Sequence, residues 1–343
     1  MSRKINYPIV ICILCAGLCG LWLRIDGFNK LHPDNDELYE LQELKRDLSW
    51  RRVLDRKQVY GDHTSFPGEY LLYKTVFSVD FLTGDISEIK LESLGNMRWS
   101  IIGAGKNFFW KVAFLKILLC VTGLVLMGVL CYKFGWAGLV GFCVYVFNPH
   151  LIYHAFDMRP YSVLPILAIL SYMSAKDGWK PLLCNVLCLL CCLYHAYGLL
   201  IFILPCIYYK RWSWFFTVGI VVWCYYASFN MFGWSPNVHQ AIVSPFQYFK
   251  PSGLAYVQSF LGSGLLYTGL VPLIFLYVLH WRVNWPFLTV MVVLPLVLIA
   301  LVDLKTSYWI HPRQWVWVMP WFGLWVGDCL YQLSKMKEGN NER

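Results

Sequence analysis

Apolar stretches of bilayer-crossing length, or close to it, recur from Tyr7 to Leu333 with short polar segments between them. The pattern predicts helical spans near 7–23, 112–132, 136–153, 161–175, 181–194, 199–209, 212–232, 257–279, 286–302 and 315–333. The expected fold is therefore an all-α polytopic membrane protein with about ten transmembrane helices, forming one domain over residues 1–343. The first run follows Arg3 and Lys4 but lacks a small-x-small cleavage site, so it reads as a retained helix and not a signal peptide. Two longer segments lie between spans, at 24–111 and 233–256. Within the first, Leu38, Leu41, Leu44, Leu48 and Val53–Leu54 recur at helical spacing among charged residues, which predicts an amphipathic helix on the membrane surface over 36–59.

One pair of spans is short. Residues 181–209 form a nearly continuous apolar run, interrupted by "YHAYG" at 194–198. A single tilted helix would place either Lys176 and Lys180 or Lys210 and Arg211 on the outer side, so the charges favour a break. Irregular backbone at that depth is tolerated where it lines a cavity or is covered by protein, which makes His195 a candidate cavity residue.

Charge sets the orientation. With the N-terminus inside, Arg3, Lys4, Lys133, Lys176, Lys180, Lys210, Arg211, Arg282, Lys335, Lys337 and Arg343 fall on the cytoplasmic side. The short outer loops receive only Arg159, Lys250, Lys305 and Arg313. A formal net charge of +9 is thus a positive-inside signal and does not call for a nucleic-acid partner. The chain is 58% hydrophobic and only 14% charged, which excludes an ordinary soluble domain. Its 13 cysteines sit almost entirely inside spans, where they act as small apolar side chains, and none lies in the 24–111 loop. "GAGK" at 103–106 is no phosphate-binding loop, because Ser100 and Asn107 occupy positions that need glycine and Ser/Thr.

Ionisable residues sort to one side. His32, His63, His150, His154, His195, His239 and His311 fall at the outer face, together with Asp34, Asp36, Glu37, Asp62, Asp157, Arg159, Lys305 and Arg313. Ionisable groups near hydrocarbon are costly, and they default to a functional hypothesis. The simpler reading for each is an interfacial residue with a hydrogen bond, or, for Asp34 and Asp36, a helix cap.

Several segments together resemble a known class. "DE" at 36–37, "DHTSFPGEYLLYK" (62–74), "FFWKVAFLKILLCVTGLVL" (108–126), "NPHLIYHAFDMRPYSVLPILAILSYMSA" (148–175), "LYHAYGLLIFILP" (193–205) and "HPRQWVWVMPWFGLWVG" (311–327) occur in the order found in the polyprenyl-phosphate-sugar glycosyltransferases of the GT-C class. That class includes the protein O-mannosyltransferases and the aminoarabinose transferases of lipid A. The sequence departs from the pattern at His63-Thr-Ser-Phe-Pro67, where a histidine–proline pair is common, and at Lys111, where arginine is common. It also ends just past the last span, where many members continue into a soluble outer domain.

The resemblance implies a membrane glycosyltransferase that moves a sugar, with inversion, from a polyprenyl-phosphate donor to an acceptor hydroxyl on the outer face. Asp36 would be the base, with Glu37 positioning it or the acceptor. Arg313 and Lys305 would hold the departing phosphate, aided by Arg159, since arginine suits bidentate contact. Asp62, His63, Tyr161 and His195 would complete the substrate site. The acceptor is a glycan, lipid or protein; membrane lipids are the other partners. No cofactor is expected, and a divalent metal stays open. The expected location is a bacterial inner membrane with both termini cytoplasmic. A lipid or solute transporter (a flippase, for instance) and a non-catalytic subunit of the same fold are the alternatives. Asp328, toward the inner end of the last span, is expected to pair with an inner lysine.

Overall fold

The computed structural model describes residues 5–30, 54, 67–76, 90–95, 98–102, 105–156, 160–195, 197–211, 216–232, 284–295, 297–298 and 316–341. The expected surface helix over 36–59 and the span at 257–279 lie outside the described residues, Leu54 apart.

Helices dominate. In chain order they are α1 (Tyr7–Lys30), α2 (Gly68–Val76), α3 (Gly105–Tyr132), α4 (Gly135–Val146), α5 (Pro149–Tyr153), α6 (Leu164–Asp177), α7 (Pro181–Tyr194), α8 (Gly198–Tyr208), α9 (Phe216–Phe232), α10 (Trp285–Phe287) and α11 (Met319–Asn341). A π-helical turn, Leu288–Val293, continues α10. One departure from an all-α reading precedes α3. Strands β1 (Lys90–Gly95) and β2 (Arg98–Ile102) pair antiparallel, with Lys90 opposite Ile102 and Gly95 opposite Arg98. The apolar pattern over 90–102 is too short and mixed to announce this hairpin.

Among the described residues, two helical segments, Tyr7–Asp26 and Lys111–Tyr132, are long and apolar enough to cross a membrane. Their exteriors carry the expected rows: Ile11, Leu14, Leu18 and Trp22 on α1, and Phe114, Leu118, Val125 and Val129 on α3, all exposed. In water such contiguous apolar surface would be a liability; against hydrocarbon it costs nothing. An apolar cleft of about 350 Å³ runs between these two helices, lined by Ile13, Gly17, Leu21, Leu124 and Gly128 among others, with no Asp, Glu, Lys, Arg or His in its lining.

Glycine decides how the central helices meet. Among the described residues, α4 and α11 form the most extensive helix pair. A Cβ on Gly141 would lie 2.2 Å from the Gly323 carbonyl oxygen, and one on Gly323 would lie 2.6 Å from the Gly141 oxygen. Gly327 continues the contact one turn on, against Gly138. Small residues let backbones approach this closely, the usual route to tight helix pairs where no hydrophobic force acts between helices. Around this crossing lie the fully buried Phe142, Trp321 and Phe322, and Trp321 donates its indole N–H to the Ala168 carbonyl at 3.0 Å, tying α11 to α6.

Two sequence expectations change here. The predicted span at 136–153 is not one helix: α4 stops at Val146, and Asn148 caps a separate helix, α5. Asp328 does not meet a lysine among the described residues. It accepts hydrogen bonds from Asn284 at 3.2 Å and Gln332 at 2.9 Å, and Asn284 also donates to the Tyr208 hydroxyl at 3.2 Å. A neutral amide pair serves this carboxylate because α10 starts beside α11, whereas the lysines further along α11 lie nearer its end.

Candidate functional site

Asn148 begins the site. It is fully buried and accepts from the backbone N–H groups of His150 and Leu151 at 3.0 and 3.1 Å, with Pro149 at the first helical position. Its amide also donates to Met319 Sδ at 3.1 Å, which fixes α5 to the start of α11. On α5, His150 and the capping residue His154 stand one turn apart with their rings stacked, 6.1 Å between centroids.

The run continues through rings of three further segments. His154 lies 5.7 Å from Tyr161, and Tyr161 lies 6.4 Å from His195. His195 lies 5.0 Å from Tyr197, and Tyr197 lies 6.3 Å from Trp317. His195 sits where the apolar run breaks: α7 ends at Tyr194, His195 is extended, and α8 starts at Gly198. The backbone N–H of Tyr197 donates to His195 Nδ1 at 3.2 Å, and the Gly198 N–H donates to the His195 carbonyl at 2.8 Å. A Cβ on Gly198 would fall 1.7 Å from the Cys191 oxygen, so only glycine closes this turn. The region 181–209 is thus two helices, and the break is built around the histidine.

Beside that turn lies a buried ion pair that sequence reading did not single out. Glu69, on the first turn of α2, accepts from Lys116 of α3 through Oε1. The Tyr73 hydroxyl donates to the same oxygen at 2.7 Å, and Lys116 lies over the Tyr73 ring, 5.6 Å from its centroid. Lys116 is wholly buried and Glu69 nearly so. The pair lies by the C-terminal end of α7: an added Cβ on Gly68 would sit 2.6 Å from the Tyr194 ring, and Glu69 is within electrostatic reach of that tyrosine, the residue before His195. The signal was present: Lys116 is a cation inside an apolar span, which calls for a partner. What the sequence lacked was the identity of that partner, 47 residues away.

A second buried cation is structural. Arg24, toward the C-terminal end of α1, donates to the Gly20 carbonyl at 2.8 Å and to the Val146 carbonyl at 3.0 Å. Val146 ends α4, so the guanidinium occupies a helix C-terminus with unsatisfied carbonyls.

Of the residues expected at the site, Tyr161 and His195 are described, and they meet. Asp36, Glu37, Asp62, His63, Arg159, Lys305 and Arg313 lie outside the described residues. All 13 cysteines are free thiols, most of them buried. No group of three or more potential metal ligands occurs among the described residues. No protein-family model matches the chain, and neither a curated protein nor a solved structure matches it.

Proposed function

We propose that this chain is a membrane glycosyltransferase that takes a sugar from a polyprenyl phosphate and transfers it, with inversion, to an acceptor hydroxyl on the outer face of the membrane. One observation carries the reading: five of the segments that resemble the GT-C class contribute to a single cluster. Glu69 comes from 62–74, Lys116 from 108–126, Tyr161 from 148–175, His195 from 193–205 and Trp317 from 311–327.

In this reading about ten helices cross a bacterial inner membrane, with both termini in the cytoplasm and the cluster on the outer side. The chemistry is a displacement at C1. The acceptor oxygen forms a bond to C1 while the bond from C1 to the phosphate oxygen breaks, and the configuration inverts. Asp36 takes the acceptor proton and Glu37 orients the acceptor or the base. Arg313 and Lys305, with Arg159, hold the charge that builds on the departing polyprenyl phosphate. Asp62, His63, Tyr161 and His195 bind the sugar. The acceptor is a glycan, lipid or protein hydroxyl.

The test is direct. The full chain in lipid nanodiscs, given a radiolabelled polyprenyl-phosphate sugar and a panel of hydroxyl acceptors, should release polyprenyl phosphate and label an acceptor. Movement of intact labelled lipid across proteoliposomes without transfer would replace the enzyme with a flippase. Donor binding with neither transfer nor movement would favour a non-catalytic subunit.

A further inference from the structure

The helices that carry the His195 cluster have a second aromatic group at their other end. Tyr161 precedes α6, Tyr197 caps the start of α8, and Trp317 precedes α11. Tyr172 lies in the second half of α6, Tyr208 ends α8, and Asp328 and Gln332 follow further along α11. Four rings meet at this end in a closed cycle. Tyr172 lies 5.8 Å from Tyr209, Tyr209 lies 4.8 Å from Tyr208, Tyr208 lies 5.1 Å from Phe287, and Phe287 lies 6.0 Å from Tyr172, all edge to face. Tyr172 and Phe287 are buried. Edge-to-face contact fixes the angle of each ring against its two neighbours, so the four pack as a unit.

One side chain latches this group to α11. Asn284 accepts the Phe287 N–H at 3.3 Å, and donates to the Tyr208 hydroxyl and to Asp328, both at 3.2 Å. Gln332 donates to the same Asp328 oxygen at 2.9 Å. Lys176 donates to the Tyr172 hydroxyl at 3.1 Å. Hydrogen bonds thus join α8, α10 and α11, and the rings add α6. The basic residues at this end, Lys176, Lys210 and Arg211, set it on the cytoplasmic side. A route for a polar solute between these helices needs a wet lumen, and rings in mutual contact leave no water-wide gap between neighbours.

We propose that Tyr172, Tyr208, Tyr209 and Phe287, latched by Asn284 and Asp328, form a plug that closes the inner end of the α6, α8 and α11 group, so that the His195 cluster is not reached from the cytoplasm. The inference stands apart from the glycosyltransferase reading. An enzyme with a one-sided site and a non-catalytic subunit both work with the plug shut, whereas a carrier of solutes or lipid headgroups has to open it.

Cys329 reports on the plug. It follows Asp328, is buried, and lies within hydrogen-bond reach of the Asn284 backbone. The full chain in proteoliposomes is given a membrane-impermeant maleimide from the inner side. Labelling of Cys329 is timed by mass spectrometry against the thiol of Ser334→Cys, at an exposed position of the same helix. Cys329 should react at least about 100-fold more slowly than that thiol, because its reaction waits on local opening. Tyr208→Ala removes one ring of the cycle and should speed Cys329 labelling at least about tenfold. Tyr208→Phe keeps the ring, loses only the hydroxyl bond, and should change the rate less than about threefold. If Tyr208→Ala does not fold, Phe287→Leu removes a ring from α10 instead and is held to the same rise. Fast labelling of Cys329 in the unaltered chain, or labelling that quickens when a polyprenyl-phosphate sugar is added, means that the inner end opens and overturns the plug. An unchanged rate in the folded ring-deleted variant overturns it as well. So does a Tyr208→Phe rate that matches Tyr208→Ala, since the hydroxyl bond and not the ring would then hold the end shut.

Discussion

Replacing Lys116 by methionine keeps a long, flexible side chain in the same space and removes only the charge. Glu69 then keeps one donor, the Tyr73 hydroxyl at 2.7 Å, and otherwise stands as a buried anion. Breaking a buried pair from one side costs about 3–5 kcal/mol, because the surviving charge is uncompensated. Glu69→Gln removes the carboxylate that faces the ammonium and should also destabilise the protein. The double variant Glu69→Gln/Lys116→Met has no buried charge to strand, so its loss should be well below the sum of the two single losses. A coupling energy of about 2 kcal/mol or more is the expected result, read by denaturant titration of the four proteins in mixed micelles. Tyr73→Phe serves as a partial perturbation: it removes one hydrogen bond to a charged group and should cost about 1.5–3 kcal/mol. Additive single losses, with no coupling, would mean that the two side chains do not hold each other's charge, and the burial argument would fail. The pair links α2 to α3 beside the His195 turn, so the same variants should also weaken binding of any ligand at the cluster.

Three further outcomes follow from the geometry and from the proposed chemistry. Gly323→Ala drives a Cβ to within 2.6 Å of the Gly141 oxygen and should destabilise by about 1–3 kcal/mol, whereas Gly17→Ala, whose Cβ meets only the Phe142 ring at 3.7 Å, should be nearly neutral in the same titration. Asp36→Asn should lower turnover about 100- to 10,000-fold with donor binding unchanged, while Asp34→Asn falls only slightly; mild loss in both would transfer the base to another acid. Arg313→Ala should lose a charge-assisted phosphate contact of about 1.5–3 kcal/mol in donor binding, and Arg313→Lys should recover part of it; undiminished affinity in the alanine variant would move the phosphate contact to Lys305 or Arg159.

Much of the helical layout was legible in the sequence, because apolar runs and the residues that interrupt them are local features. The break at "YHAYG" was read from the cost of placing four basic residues, and the structure has α7, an extended His195 and α8 there. Tyr161 and His195, named from the sequence, meet through their rings. The hairpin at 90–102 escaped because its thirteen residues carry too weak a periodicity to separate strand from loop. Asn148 and Pro149 carried a local cap signal that was absorbed into a longer apolar run.

What tertiary structure alone decided is which polar residues meet. Sequence spacing marks Lys116 as a cation in need of an anion, but many acids precede it, and only the packing of α2 against α7 and α3 selects Glu69. Asp328 likewise found Asn284 and Gln332, since α10 starts beside α11. The glycines of α4 and α11 set how near those backbones come, and a shift of one turn would bring different side chains together. Periodicity tells which face of a helix is apolar; the crossing of two helices, a contact between residues far apart in the chain, determines what that face touches.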